Sequence, residues 1–329
     1  MRKGTGCEAL RAALREEMTR DKRVFLLGED LGAYGGAFGV TRGLCDDFPG
    51  RVVDTPISEG GIVGAAIGAA LAGSRPVVEI MFMDFILLAL DQLANMAAKL
   101  RYVFGPGAAC PLVVRTPAGG GRGYGPTHSQ CLEALFTHVP GLKVVAPSSP
   151  ADAYLLLKAA IRDNNPALFV EHKLLYSLRG EWPAARPGRR IEKLGRARIV
   201  RQGADVTIAA WSWMTEMARR AAQDLAAAGL EAEVIDLRTL APLDEKTIVE
   251  SVRKTGRLVV VEEGTRTGGF AAEIGFRVFE QAFDCLDGPI RRVTCPDVPL
   301  SAAPALEQAA LPSRAAIAQA AMKLVDGDF

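Results

Sequence analysis

The sequence has few of the residues that build metal centres and disulfide frameworks. It holds three histidines and six cysteines among 329 residues, and no two cysteines form a Cys-x-x-Cys pair. Scattered cysteines of this kind are typical of reduced, mostly buried thiols in a cytoplasmic protein. They argue against a disulfide scaffold and against a zinc site built from such pairs.

Long apolar runs and blocks of one charge are also missing. No apolar run reaches the 18 or so residues that a membrane-spanning helix needs, and the first residues lead into a charged helix rather than a signal-peptide core. The net charge is +1 without any block of like charges, which makes nucleic acid a poor candidate for a partner. We therefore expect a cytoplasmic protein that binds neither nucleic acid nor a membrane.

Short buried strands alternate with helices along the chain. Apolar runs predict strands at 24–27, 76–82, 111–115, 142–145, 167–171, 204–210, 233–236 and 257–261, and helical periodicity predicts helices at 5–21, 59–72, 84–101, 151–162, 214–228 and 244–255. Such alternation implies parallel sheets with right-handed crossovers. Residues 180–190, rich in Pro, Gly and Arg, predict an interdomain linker. We therefore predict an α/β fold with two parallel-sheet domains, residues 1–185 and 186–329.

One predicted helix, within the stretch from Val53 to Ala72, has an unusual composition. Ser58 is a candidate N-cap, and Glu59 begins the helix. Glycines and alanine recur every four residues, at Gly60, Gly64, Gly68 and Ala72. An interior Gly costs about 1 kcal/mol relative to Ala, so this bare stripe indicates close approach of another helix, from this chain or a second one. On position alone, Glu59 would simply complement the helix macrodipole.

The residues around Glu59 resemble a known cofactor-activating segment. The spacing of Glu59, Gly64, Ala65 and Gly68 is similar to that in thiamine diphosphate enzymes. The longer segment Asp54-Thr-Pro-Ile-Ser-Glu59-Gly resembles the beta subunit of the decarboxylating dehydrogenase component of 2-oxo acid dehydrogenase complexes, of the pyruvate, acetoin and branched-chain types. The resemblance covers nearly the whole chain and implies a pyrimidine-type thiamine diphosphate-binding domain followed by a transketolase C-terminal-like domain.

This resemblance implies roles for three residues near the cofactor. Glu59 would bond a pyrimidine nitrogen and stabilise the imino tautomer, whose nitrogen takes the proton from the thiazolium carbon. Met81 and Phe85 would lie against the aminopyrimidine ring, one wedging the cofactor and the other stacking on it. Without the resemblance, an aromatic residue at a helix start is more often a packing residue. Leu88 departs from many relatives, which have Gln there.

A glycine-rich loop carries a second candidate catalytic residue. Residues 118–130 contain five glycines and end in His128-Ser129-Gln130, a triplet that matches the family. A loop of this kind can present an imidazole at the mouth of a cleft. No Gly-Lys-Ser/Thr follows, so a phosphate-binding loop is poorly supported. By resemblance, His128 would assist the acyl-transfer stage.

The motif that normally holds the cofactor's diphosphate through magnesium is missing. That motif is Gly-Asp-Gly with a downstream Asn, and the only Gly-Asp pair is Gly327-Asp328, in the last three residues. We therefore expect the diphosphate and magnesium to be held by a separate alpha subunit, in an α2β2 heterotetramer. By resemblance, a structural potassium ion would be held by carbonyl oxygens and a carboxylate of Leu112, Ala160, Ile161, Asp163 and Asn165.

On this interpretation the assembly decarboxylates a 2-oxo acid, or cleaves acetoin, and passes the acyl group to lipoyl on an acyltransferase component. An Asp before Phe85 favours the acetoin type over the pyruvate type. The alternatives are a non-catalytic scaffold of the same fold, a branched-chain enzyme, and a single-chain transketolase-like or nicotinamide-dependent enzyme. The missing diphosphate motif argues against a single-chain transketolase-like enzyme. The absence of a convincing Gly-x-Gly-x-x-Gly after a strand argues against a nicotinamide-dependent enzyme.

Overall fold

The computed structural model describes residues 1–105, 107–184 and 191–328. The chain divides into two compact units, which we describe separately. The first consists of Met1–Ala118 and Leu135–Leu194, and the second of Gly119–Ala134 and Gly195–Phe329. The expected domain boundary at residues 185 and 186, and with it the second half of the predicted linker, lies outside the described residues.

The first unit contains the strands β1 (Arg2–Thr5), β2 (Val24–Gly28), β3 (Val52–Asp54), β4 (Arg75–Glu79), β5 (Val113–Ala118), β6 (Lys143–Val145), β7 (Ala167–His172) and β8 (Arg179–Trp182). Its α-helices are α1 (Gly6–Arg20), α2 (Leu44–Asp47), α3 (Glu59–Leu71), α4 (Leu100–Phe104), α5 (Glu133–Thr137), whose first two residues count with the second unit, and α6 (Pro150–Arg162). Short 3-10 helices span Met83–Ala89 and Lys173–Tyr176, and a π-helix spans Gln92–Ala97.

Parallel pairing builds the sheet of this unit. Its strands follow the order β6-β7-β5-β4-β2-β3, and each neighbouring pair is parallel. Both faces are covered, which explains why β4, β5 and β7 are buried along their whole length. The sheet register sets Gly28 beside both Asp54 and Glu79. The carboxyl ends of three adjacent strands therefore meet at one edge, where α/β folds carry their sites.

The second unit contains the strands β9 (Arg198–Arg201), β10 (Val206–Ala210), β11 (Ala232–Asp236), β12 (Thr239–Ala241), β13 (Leu258–Thr265) and β14 (Arg291–Cys295). Its helices are α7 (Ser212–Ala227), α8 (Glu245–Thr255), α9 (Phe270–Ala282), α10 (Pro304–Ala310) and α11 (Arg314–Asp326), with a 3-10 turn at Phe283–Cys285. Its sheet has the order β14-β13-β10-β11-β9, parallel except for β9 at the edge.

The predicted alternation of strands and helices is confirmed in both units, and two local predictions are wrong. Arg179–Trp182, at the start of the expected linker, is a strand that pairs antiparallel with β1. The single helix expected at 84–101 is broken into three segments of different type. Among the described residues, no helix is long and apolar enough to span a lipid bilayer.

Candidate active site

Glu59 occupies the first turn of α3, just beyond the carboxyl end of β3. Ser58 is the N-cap residue as predicted, but its side chain makes no capping hydrogen bond. The Glu59 side chain is buried, with 6% exposure, and within the described residues its carboxylate has neither a hydrogen-bond nor an ion-pair partner. Thr55 Oγ1, in the preceding turn, is also buried without a hydrogen bond. Because burying an unpaired polar group is costly, the Glu59 carboxylate and the Thr55 hydroxyl point to a ligand that would complete the site.

A second carboxyl lies close to Glu59. Glu29 directly follows β2, which pairs with β3, so the two strand ends bring Glu29 and Glu59 to the same edge. Burial, the charge of Glu59 and the charge of Asp30, in that order, raise the pKa of Glu29 above its usual value. A carboxyl with a raised pKa beside a ligand-facing carboxylate can hold or pass on a proton.

Met81 and Phe85 lie beyond the carboxyl end of β4, the strand next to β2. Both are half-buried, so each keeps part of its side chain accessible to a ligand. The Phe85 ring packs edge-on against Phe82, with ring centroids 5.7 Å apart. The structure thus places Met81 and Phe85 beyond the end of β4 and Glu59 beyond the end of β3, the two strands that flank β2 in the sheet. Their contact with a cofactor stays a prediction.

The segment after Phe85 departs from the regular helix expected at 84–101. A 3-10 helix and a π-helix replace it, and Leu88 and Met96, two apolar residues of the expected helix, are 66% and 50% exposed. The change of helical period explains this, because it rotates side chains away from the faces that a 3.6-residue period predicts. Short π-helical turns are frequent at functional sites.

The glycine stripe of α3 lies partly against this irregular segment. A Cβ on Gly60 would sit 3.1 Å from the Leu88 carbonyl oxygen and 3.5 Å from Gln92 Oε1, and one on Gly64 would sit 3.9 Å from Gln92 Cγ. The close approach predicted from the stripe is therefore confirmed, and its partner at Gly60 is a segment of this chain. At Gly68 nothing lies within 4 Å of the added Cβ, which leaves that end of the stripe open.

A buried ion network fixes the strands that carry the site. Arg115, 1% exposed, donates from Nη1 to Glu79 Oε2 at 2.6 Å, and from Nε and Nη2 to the two oxygens of Glu171 at 2.7 and 2.8 Å. The Tyr176 hydroxyl donates to Glu171 Oε2 at 2.7 Å. Burial raises the pKa of Glu79. The sequence analysis did not predict this network. Its only signal in the sequence was one charged residue inside each of three apolar runs.

His128 lies in the loop 119–134, which belongs to the second unit, whereas Glu59 belongs to the first. The side chain is half-buried, and Nδ1 lies 3.0 Å from Thr127 Oγ1. The backbone N–H of His128 donates to the Gly125 carbonyl at 3.3 Å, which closes a tight turn over residues 125–128. Next to it, Ser129 is 1% exposed and its Oγ has no hydrogen-bond partner in the described part of the chain.

The residues predicted to hold potassium lie around the end of α6 and the facing start of β5. Arg75 donates to the carbonyl oxygens of Ile161 and Asp163 at 3.0 and 2.7 Å. The Asp163 carboxylate forms an ion pair with Lys143 and accepts from Asn165 Nδ2 at 2.8 Å. The remaining carbonyls, of Leu112 and Ala160, accept from backbone N–H groups. Each of these oxygens therefore accepts at least one hydrogen bond from another group of the chain. The potassium ion stays a prediction of the resemblance alone.

Comparisons with known families match both units. The family described as transketolase, pyrimidine binding domain, matches residues 5–179. The family described as transketolase, C-terminal domain, matches residues 195–317. The two matches occur in the predicted order, and together they cover most of the chain.

Individual relatives match over nearly their full length. The beta subunit of acetoin:2,6-dichlorophenolindophenol oxidoreductase from Cupriavidus necator is 48% identical, covering 97% of this chain and 96% of that protein. The pyruvate dehydrogenase E1 component subunit beta of Rickettsia felis is 47% identical, covering 96% and 97%. A mitochondrial pyruvate dehydrogenase E1 component subunit beta-2 from Oryza sativa is also 47% identical, covering 96% and 85%.

Solved structures share the fold. A split-gene transketolase described as an inactive beta4 tetramer matches with a TM-score of 0.79 and 26% identity, covering 98% of this chain and 99% of that one. A transketolase mutant from Pichia stipitis matches with a TM-score of 0.71, at 14% identity, over 99% of this chain and 48% of that chain. Together with the full-length relatives, these matches show that the chain belongs to the beta subunits of the thiamine diphosphate-dependent decarboxylating dehydrogenase component of 2-oxo acid dehydrogenase complexes.

Proposed function

We propose that this chain supplies the pyrimidine half of a thiamine diphosphate site in an α2β2 2-oxo acid dehydrogenase. The assembly decarboxylates pyruvate or a related 2-oxo acid, or cleaves acetoin, and delivers the acyl group to lipoyl on an acyltransferase component. One observation carries the proposal: the Glu59 carboxylate is buried at a helix start and lacks a hydrogen-bond or ion-pair partner within the described residues. A pyrimidine nitrogen is the partner that family membership provides.

Bound thiamine diphosphate supplies the carbon nucleophile, which no amino acid side chain can replace. Glu59 would hold the pyrimidine by sharing a proton with one of its ring nitrogens. Met81 and Phe85 hold the pyrimidine ring in the orientation that this proton exchange needs.

Glu29 lies at the same sheet edge as Glu59. Burial and then the charge of Glu59 raise the pKa of Glu29, so we propose it as a second group that can hold a proton near the site. His128 serves the later acyl-transfer stage, as a proton donor or by holding the geometry that faces lipoyl. Its half-buried position on a turn is compatible with either role.

The alpha subunit completes the site. The sequence contains no Gly-Asp-Gly motif, so we propose that the diphosphate and its magnesium ion are held by that subunit. The binding of potassium remains a separate proposal. Thermal unfolding of the assembly in potassium and in sodium tests it, because a bound potassium ion should raise the unfolding temperature only in potassium. Location also stays a prediction, because the named relatives include bacterial and mitochondrial proteins.

The test of Glu59 compares two matched substitutions in the chain co-expressed with its alpha subunit. Glu59→Gln should lower 2-oxo acid-dependent dye reduction at least about a hundredfold, as is usual when an acid–base group is removed. Glu245→Gln is the control, since Glu245 is likewise the first residue of its helix but lies in the second unit. Undiminished turnover in Glu59→Gln would remove this residue from the mechanism.

The scaffold alternative is tested by cofactor binding. A solved relative is described as an inactive beta4 tetramer, which motivates a comparison of the lone chain with the reconstituted pair. Calorimetry should show tight binding of thiamine diphosphate with magnesium only in the pair. A pair that leaves the cofactor unbound would favour a scaffold. A panel of pyruvate, acetoin and branched-chain 2-oxo acids on the pair then identifies the substrate.

A further inference from the structure

The loop 119–134, which carries His128, is held by two buried carboxylates of its own unit. We propose that Glu307 and Glu263 are positioning residues that clamp this loop and thereby fix the imidazole of His128. The clamp is an inference about the loop itself, and its catalytic consequence rests on the role proposed for His128 above.

Glu307 binds the loop through two backbone amides at once. It lies on α10, is 3% exposed, and accepts from the N–H of Gly121 at 2.9 Å through Oε1 and from the N–H of Gly123 at 3.0 Å through Oε2. Hydrogen bonds to a charged acceptor are about twice as strong as neutral ones. Because each oxygen binds a different amide, the loop cannot shift along its own direction without losing both bonds.

Glu263 adds contacts on either side of His128. It lies in β13, is 7% exposed, and accepts from the N–H of Gly120 at 2.5 Å. The Cys131 thiol donates to the same oxygen at 3.8 Å, a normal range for sulfur. The loop is therefore attached both before and after the histidine.

The glycines of the loop are explained by this attachment. Gly121 and Gly123 adopt φ angles of +82° and +67°, which other residues rarely adopt. A Cβ on Gly120 would lie 3.1 Å from Leu300 Cδ1 and 3.3 Å from Glu307 Oε1. Glycine thus lets successive amides face the carboxylates at close range. The glycines therefore supply backbone amides that are hydrogen-bonded to Glu263 and Glu307, and they do not form a freely moving hinge.

The path from the clamp to the imidazole is short. Gly123 is five residues from His128, and the intervening backbone is closed by the bond from His128 N–H to the Gly125 carbonyl. Thr127 Oγ1 then contacts the ring nitrogen Nδ1. A displacement of the anchored amides is therefore passed through a single turn to the imidazole.

Hydrogen exchange tests the clamp directly, in the chain co-expressed with its alpha subunit. Glu307→Gln replaces one acceptor oxygen by an NH2 group, so amide exchange in peptides covering 119–134 should quicken on the order of tenfold. Glu262→Gln is the matched control, because Glu262 is 2% exposed and its carboxylate also accepts from two backbone amides, those of Phe270 and Ala271, outside the loop. Unchanged exchange in the loop of Glu307→Gln would overturn the clamp.

Activity then tests whether the clamp acts through His128. The measured quantity is the ratio of lipoyl acyl transfer to dye reduction, in Glu307→Gln, His128→Ala and the double variant. We expect both single variants to lower the ratio and the double variant to fall no further than His128→Ala, whereas Glu262→Gln leaves the ratio unchanged. If the double variant lowers the ratio by the product of the two single effects, Glu307 does not act through His128, and its positioning role is overturned.

The two proposals fail in different ways. If His128→Ala alone leaves the ratio unchanged, the proposed role of His128 is wrong, and the exchange measurement still decides whether Glu307 holds the loop. Glu307→Asp guards against a folding artefact, since it keeps the charge but is one methylene too short to bind both amides. It should give exchange rates between those of the parent chain and Glu307→Gln.

Discussion

Glu29 and Glu59 lie at the same sheet edge, where burial, followed by the charge of Glu59, raises the pKa of Glu29. The two residues are 30 positions apart in the sequence and meet only because β2 and β3 pair in parallel. The candidate site therefore holds two carboxyls on adjacent strand ends, and the effect of one on the other can be measured.

Glu59→Gln should lower the pKa of Glu29. The substitution removes the negative charge that disfavours ionisation of Glu29 but leaves the burial nearly unchanged, so the pKa should move only part of the way to its usual value. NMR titration of carboxyl-labelled glutamate measures the shift, and the signal that disappears in Glu29→Gln assigns it. An identical titration in the parent chain and in Glu59→Gln would show that the two groups are not coupled.

Arg115→Met should destabilise the first unit by about 3–5 kcal/mol, because it leaves Glu79 and Glu171 buried without their cation. Urea unfolding of the chain measures this change. Lys246→Met is the control, since the ion pair of Lys246 with Glu250 is exposed on both sides, and such pairs contribute little. Equal unfolding midpoints for the two variants would contradict a structural role for the network.

Two glycines of α3 should respond differently to the same added methyl group. Gly68→Ala should stabilise the lone chain by about 0.5–1 kcal/mol through helix propensity, because nothing lies within 4 Å of the new Cβ. Gly60→Ala should be less stable than Gly68→Ala, because its Cβ meets the Leu88 carbonyl at 3.1 Å. Thermal unfolding compares the stabilities of the two variants. A Gly60→Ala variant more stable than Gly68→Ala would show that the segment at Leu88 moves to accommodate the added methyl group at little cost.

Gly68→Ala also tests the predicted contact between subunits. If the open end of the stripe receives a helix of another chain, the added methyl group should weaken assembly with the alpha subunit while the lone chain gains stability. Sedimentation of the co-expressed pair measures assembly. If Gly68→Ala leaves assembly unchanged, no helix of another chain packs closely against Gly68.

Two buried carboxyls of the second unit should make stability fall as pH rises. Burial raises the pKa of Glu133 and of Glu262 from 4.5 to about 7. Between these values the folded state binds more protons than the unfolded state, so the free energy of unfolding decreases as pH rises from about 4.5 to 7, by up to about 1.4 kcal/mol per pH unit for each proton.

Glu133→Gln should reduce that slope. Urea unfolding across this pH range measures the slope, and Glu280→Gln, which removes an exposed carboxyl, controls for the loss of one charge. A slope unchanged in Glu133→Gln would show that Glu133 does not take up a proton on folding.

Several features of the fold were predictable because neighbouring residues determine them. Thr5 and Glu8 form a reciprocal capping box that starts α1, and the apolar runs gave the main buried strands to within a few residues. The same local reasoning found the start of α3 and the stripe of small residues on it that includes Gly60. It did not find the break of the helix after Phe85, because helix type there depends on what packs against it.

The sequence by itself determined the family, the alternation of strands and helices, and the candidate residues Glu59 and His128, since motifs and periodicity lie in contiguous stretches. Only the tertiary structure revealed the contacts that hold the strands and the loop around those residues. Arg115 meets Glu79 across 36 positions, and Gly121 meets Glu307 across 186. Such contacts depend on strand order and loop path, which bring distant residues within hydrogen-bonding distance, and no local pattern records which pairs will meet.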